Sequence, residues 1–363
     1  MNKNRNLIKP NLQFFATKPK SIFDLVTSND IVSYWNERNN QETENLLGEE
    51  LWPSQQKLGL DLKWIKGSMG LPIVLKPSAY DVVALKRDRI GFDKVSTEMP
   101  FFKESMMIDE ELRQQLNMVL ETGNSVYIDS IMNRIFDDNT QLLRGARAQR
   151  ERMRMSLLTT GGISISANGQ NYEYDYGLKP YQKVEVDKSW SDPTADIVKD
   201  IRDWQDSVED ETGNRPTRAV CSPICFEYIV NCNLVKNAIW GTDSVAPVSR
   251  QKVLSYIKTE LGLSIAIYSK KFIDETGAKK KYVPDDTFVL IPDGKLGTGW
   301  FGTTPEQSDL MSGSAANVTI TDVGVAVATV KKTDPVNVDT KVSMIYLPSF
   351  EAIDSILIAD VIK

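Results

Sequence analysis

Residues 125–159, SVYIDSIMNRIFDDNTQLLRGARAQRERMRMSLLT, carry the longest periodic pattern in the chain. Ile128, Ile131, Ile135, Leu142, Ala146, Met153 and Leu157 fall within one narrow stripe at helical spacing, which predicts a single amphipathic helix. At about 1.5 Å per residue it would be roughly 50 Å long, well above the usual globular length. Gly145 in its interior lowers local helix propensity by about 1 kcal/mol relative to Ala and marks a place where the helix could bend. Beside the apolar stripe, Arg144, Arg147, Arg150 and Arg154 share about a third of the circumference and form a basic ridge.

Downstream, Gly161-Gly162 ends the helical period, and Ile163 and Ile165 open a two-residue alternation. Asn168-Gly169 separates these from Tyr172, Tyr174 and Tyr176, the strongest short hairpin signal a sequence offers. Asp192-Pro193 is expected to start a second helix with Asp as N-cap and a core face of Ile197, Ile201, Trp204 and Val208, stopping at Gly213. Residues 218–221 read as a strand, 249–261 as a helix closed by Gly262, and 263–268 as the strand after it. This alternation marks 191–325 as a compact α/β domain. The remainder is β-rich, and its strands within 326–363 are expected to return to the sheet beside the long helix.

Upstream, 53–105 holds β-branched and aromatic runs at 58–65 and 80–85 around Gly67-Ser68-Met69-Gly70, with Pro72 and Pro77 limiting further pairing. That pattern predicts a long two-stranded loop, only marginally stable by itself. Trp64, Ile65, Val82, Val83, Ile90 and Phe92 would stand on strands with no partner sheet, so the loop is expected to lie on a neighbour as a movable lever. Residues 1–52 are polar, Asn-rich and weakly periodic, apart from islands such as Phe14-Phe15 and Tyr34-Trp35. The composition suits an extended arm that gains order on another surface, with a frayed terminus as the alternative.

Composition excludes several function classes. The chain has no histidine, which removes the usual general base near pH 7 and the commonest metal ligand, so Ser-His and Cys-His catalysis are ruled out. No carboxylate or lysine pairing stands out from ordinary surface charge, so no catalytic, cofactor or metal residue is assigned. Cys221, Cys225 and Cys232 are too few for a zinc set and odd in number, which fits core thiols in a reducing compartment. Gly297-Thr298-Gly299-Trp300-Phe301-Gly302 matches a dinucleotide fingerprint, but a polar loop with Pro305 follows where a helix must begin. Those glycines are expected to serve tight turns. A net charge of -6 argues against wrapping nucleic acid over most of the surface. No apolar run suits a signal peptide or a membrane span, which predicts folding in a cytoplasm with no membrane partner.

The order of arm, long loop, long helix with sheet, α/β domain and returning strands resembles the capsid fold of tailed phages, typified by phage Hong Kong 97. Asn11-Leu12-Gln13-Phe14-Phe15-Ala16 resembles the opening of many structural proteins from phages of Gram-positive hosts. The stretch from Leu142 through Arg147-Ala148-Gln149 and Leu157-Leu158-Thr159-Thr160-Gly161 to Tyr174-Asp175-Tyr176-Gly177 is similar to the lambda-type major capsid protein E family. The resemblance implies an α+β, Hong Kong 97-like subunit with an N-arm (1–52), E-loop (53–105), P domain with spine helix (106–190), A domain (191–325) and returning P-domain strands (326–363). It implies a non-enzymatic virion protein of a tailed double-stranded DNA bacteriophage, self-assembling in the bacterial host cytoplasm into the hexamers and pentamers of a procapsid and mature head. Scaffolding protein, portal protein and weakly, non-specifically held double-stranded DNA are the implied partners; a decoration protein is left open. An encapsulin-like non-viral shell is the alternative on the same fold, and a hydrolase or nucleotide-binding enzyme the alternative from another class. On this reading Arg144, Arg147, Arg150 and Arg154 touch a neighbouring subunit or DNA, with a solvated face as the bland alternative, and Trp64, Phe92, Phe14 and Phe15 are subunit contacts.

Overall fold

The computed structural model describes residues 21–362 apart from 42–44, 60, 67–92, 123–124, 168, 242–246, 312, 314–315 and 335. Phe14, Phe15 and Phe92, and the apolar run at 80–85, lie outside the described residues. Helices α1 (Ile22–Leu25), α2 (Ser28–Gln41) and α3 (Leu47–Leu51) lead in, which corrects the expectation of an extended arm through residue 52. Ile31, Leu51 and Trp52 are fully buried, with Val26 and Trp35 close behind, in the core around the long helix. Ile31, Val32 and Trp35 make one helical face, but a face of three residues in an Asn-rich background carries too little period to be read.

After β1 (Ser54–Gln56), strands β2 (Asp61–Lys66) and β3 (Asp93–Glu98) form an antiparallel ladder with Trp64 opposite Val95. Among the described residues this ladder pairs with no third strand. β4 (Phe101–Met107) and α4 (Glu110–Thr122) lead to α5 (Ser125–Thr160), the long helix, continuous through Gly145 and within a residue of its expected bounds. Ile128, Ile135, Leu142, Met153 and Leu157 are buried, while Ile131 and Ala146 pack at the margin of the core, so the stripe is the core face. β5 (Gly162–Ala167) and β6 (Gln170–Asp175) make the expected hairpin, and Gly169 takes φ +73, a conformation that costs a side chain but not glycine.

The chain continues through β7 (Lys183–Glu185), α6 (Ile197–Thr212), β8 (Arg218–Cys221), α7 (Pro223–Asn231), α8 (Asn233–Trp240), α9 (Arg250–Leu261), β9 (Ser264–Ile267), β10 (Lys271–Ile273), β11 (Lys279–Lys281) and β12 (Thr287–Ile291). It closes with β13 (Gly299–Phe301), β14 (Asn317–Thr321), β15 (Val325–Thr333), β16 (Val336–Pro348) and β17 (Leu357–Asp360). One sheet has the order β7-β17-β12-β8-β9, covered by its own cluster of Ile201, Trp204, Phe226, Ile257 and Phe288; the other has the order β1-β13-β16-β15-β14 with β4 also on β16. Helix α6 starts four residues later than expected: Asp196, not Asp192, caps it by accepting from the Lys199 amide at 3.1 Å. Asp192 instead closes a turn through the Thr194 amide and hydroxyl, which hold its carboxyl down at about 2.

Two further expectations change. β13 and β14 join the sheet at the long helix, although they precede residue 325. Conversely β17 does not return there; it lies between β7 and β12 in the other sheet. Leu357, Ile358 and Ala359 are all buried, and three consecutive apolar residues demand a strand covered on both faces.

Candidate assembly surfaces and the buried arginine ladder

Two of the four arginines expected on a contact ridge point inward. Arg154 on α5 is fully buried; its Nε donates to Tyr346 Oη at 2.7 Å and its Nη2 to Ser54 Oγ at 3.2 Å. Its guanidinium lies 5.3 Å from the Tyr346 ring centroid, and its Nη1 is 3.9 Å from Glu151 Oε2. Glu151, fully buried one turn earlier, accepts from Tyr268 Oη at 2.6 Å and from the Gly48 amide at 3.1 Å. Burial pushes the Glu151 carboxyl up, and burial beside that carboxylate pushes the Tyr268 phenol well above its ordinary range. Arg150, only 3% exposed, donates to Asp322 Oδ2 at 2.8 Å and lies over the Phe301 ring. Arg147 is half-buried and grips Glu49 with two parallel bonds of 3.0 Å, whereas Arg144 is exposed.

Arg150 and Arg154 therefore cannot be subunit or DNA contacts while the body is folded. A helical wheel tells which residues share a side but not how much of the circumference will be covered. Here α3, β1, β16 and the β14–β15 turn cover the basic side as well as the apolar one. That turn is itself strained: Asp322 and Val323 have φ of 46 and 74, and Val323 is β-branched. The Arg150 bond to Asp322 and the seat of Gly324 against Phe301 hold it.

The glycines at 297–302 have a different reason from the expected turns. None of them has positive φ. A Cβ at Gly297 would meet Ser349 O at 2.0 Å, at Gly299 the Tyr346 hydroxyl at 2.6 Å, and at Gly302 Ile345 Cγ2 at 2.6 Å. They allow β13 to press against β16, with Trp52 Nε1 donating to Ser349 O at 2.7 Å beside them. The cysteines are free and buried, as expected of core thiols.

The ladder of β2 and β3 is fastened at its base, where Tyr174 Oη on the β5–β6 hairpin donates to Glu98 O at 3.0 Å; burial pushes that phenol up to about 12. Trp64 sits in the ladder, its side chain outside the described residues. Near that base a cleft of about 440 Å³ crosses α5 at Gly145, walled by Phe101, Leu142, Ile165, Tyr172 and Met344. Other exposed apolar side chains group at Met118, Val126 and Tyr127 around the α4–α5 junction, and at Ile224, Leu234 and Trp240 on α7 and α8. Among the described residues no group of acidic or thiol side chains could hold a metal ion, and no helix is long and apolar enough to cross a membrane.

The family model for phage major capsid protein E matches residues 28–361. Among solved structures, the chain is similar to a protein assigned as the capsid protein of a prophage of Escherichia coli CFT073. The TM-score is 0.57 at 14% identity, covering 93% of this chain and 99% of that one. A phage-related protein of Bordetella bronchiseptica RB50 matches with a TM-score of 0.53 at 12% identity, covering 93% of this chain and 97% of that one.

Proposed function

The chain belongs to the phage major capsid protein E family, and from that premise we propose that it closes into the hexamers and pentamers of a procapsid and mature head. Its fold is the Hong Kong 97-like capsid fold, and membership answers the choice between a phage shell and an encapsulin-like shell in favour of the phage. A structural role without catalysis, assembly in the host cytoplasm, and scaffolding protein, portal protein and weakly held double-stranded DNA as partners complete the proposal.

The observation that carries it is the β2–β3 ladder, a two-stranded sheet without a third strand among the described residues. Such a pair is marginal in water and gains stability by lying on something else. Trp64 and Phe92 on this loop, and Phe14 and Phe15 near the start of the chain, are its proposed subunit contacts. Arg144 and Arg147 keep their proposed role toward a neighbour or DNA; Arg150 and Arg154 do not.

The test is hydrogen exchange of residues 61–66 and 93–98 in free subunits and in shells assembled with the scaffolding protein, alongside electron microscopy of Trp64→Ala. Fast exchange in the free subunit, protection in the shell and fewer closed particles from the variant are expected. Strong protection in the free subunit would show the loop to be part of one compact body and remove the support.

A further inference from the structure

We propose that the cleft between α2, α5 and the start of β10 binds an oxyanion of the phosphate class. It encloses about 320 Å³ and is walled by Trp35 and Arg38 of α2, Arg144 and Arg147 of α5, and Lys270 and Lys271. No carboxylate is among the described residues that line it, although the whole chain carries a net charge of -6. Asp137 and Glu49, which pair with Arg38 and Arg147, stand outside the lining.

A second observation is independent of charge. Trp35 is 4% exposed, yet its indole N–H has no acceptor among the described residues. Buried donors are nearly always satisfied, and this one belongs to the wall of a cationic cleft. Arg144, Arg147 and Lys270 also make other contacts within the chain. Guanidinium and ammonium groups carry several donor hydrogens each, so a bound anion is a further acceptor and not a replacement for those contacts.

Size selects the ligand. The cavity admits a single phosphate group, free or projecting from a backbone outside it, but not the body of a duplex or a helix. Phosphate offers several acceptor oxygens and more than one charge, which suits cations arriving from three separate elements. Bound there, it would tie α2 and the β10–β11 hairpin to the same stretch of the long helix.

Calorimetric titration of the full-length subunit with inorganic phosphate, at ionic strength fixed with chloride, tests the site. Saturable binding is expected, weakened roughly tenfold or more in Arg144→Gln/Lys271→Gln, since a charged hydrogen bond is commonly worth that much. Both residues are exposed, so the variant should fold, and its melting temperature in chloride checks this. Lys279→Gln, on the same hairpin but outside the lining, should bind like the parent. A double-stranded oligonucleotide added in competition identifies the source: displacement of phosphate assigns the cleft to DNA backbone, no displacement assigns it to the free anion. Absence of saturable binding, equal affinity in the double variant, or acetate binding as well as phosphate would each overturn the proposal.

Discussion

Replacing Arg154 by Leu isolates what the buried ladder does. The substitution removes the 2.7 Å bond to Tyr346, the 3.2 Å bond to Ser54 and the only cation within 4 Å of the Glu151 carboxylate among the described ion pairs. Two hydrogen bonds are worth about 1 kcal/mol each, and an unpaired buried carboxylate raises the total to about 3–5 kcal/mol. That is a large share of the 5–15 kcal/mol typical of a domain. The double variant Arg154→Leu/Glu151→Gln removes the stranded charge, so it should lose about 2 kcal/mol less than Arg154→Leu alone. pH supplies a second readout. Burial raises the folded-state pKa of Glu151 above its unfolded value, so the stability it contributes is complete in acid and is lost as pH rises through the folded pKa. Without Arg154 that folded pKa rises further, and the single variant should regain more stability between pH 8 and pH 5.5 than the parent does. Urea unfolding of unassembled subunits measures both. A loss under about 1 kcal/mol, or equal losses in the single and double variants at both pH values, would refute the view that the pair is coupled.

Arg150→Glu places a carboxylate at a buried site facing Asp322 and should cost about 3 kcal/mol or more by thermal unfolding, whereas Arg144→Glu, at an exposed position, should change stability by less than about 0.5 kcal/mol. Gly297→Ala drives a methyl into Ser349 O and should cost about 1–3 kcal/mol, read as a lowered urea midpoint at unchanged slope. Tyr174→Phe removes the bond to Glu98 O and should speed amide exchange at the base of the loop for about 1 kcal/mol of stability. In the parent, raising the pH from 10 toward 12 removes the same anchor, because the phenol is held at about 12 when folded and titrates near 10 when unfolded.

The long helix was legible almost to the residue because its seven apolar positions, from Ile128 to Leu157, repeat over about eight turns, and no strand or loop imitates that. The Asn168-Gly169 hairpin and the Gly213 and Gly262 helix stops were legible for a similar local reason: each needs a backbone conformation that few residues supply, and all three glycines have positive φ. What could not be read depended on distant partners. Pro193 makes Asp192 the better cap in sequence, but the helix starts at Ile197, which is fully buried, with Asp196 as its cap. Gly297, Gly299 and Gly302 are small because the end of β16 and Ser349 just beyond it lie against them, a fact held at residues 345–349. The arginine ladder was missed for the same reason. Glu49, Asp322 and Tyr346 lie 98 to 192 residues from the arginines they meet, and no spacing along α5 announces them.

The position of β17 has a consequence for the order of events during synthesis. It is the last strand of its sheet to leave the ribosome, yet it stands second in from one edge. Until it arrives, β12 is paired on one side only by β8, and β7, whose sole strand partner among the described residues is β17 through Lys183 and Ile358, waits for it. The nascent chain can form α5 and its hairpin early, from local contacts that close quickly, but it must carry an unsealed sheet edge for the whole interval between β7 and β17. Sealing that edge is a late, single act, so a subunit becomes a finished building block only after nearly all of its family-matched length has been translated.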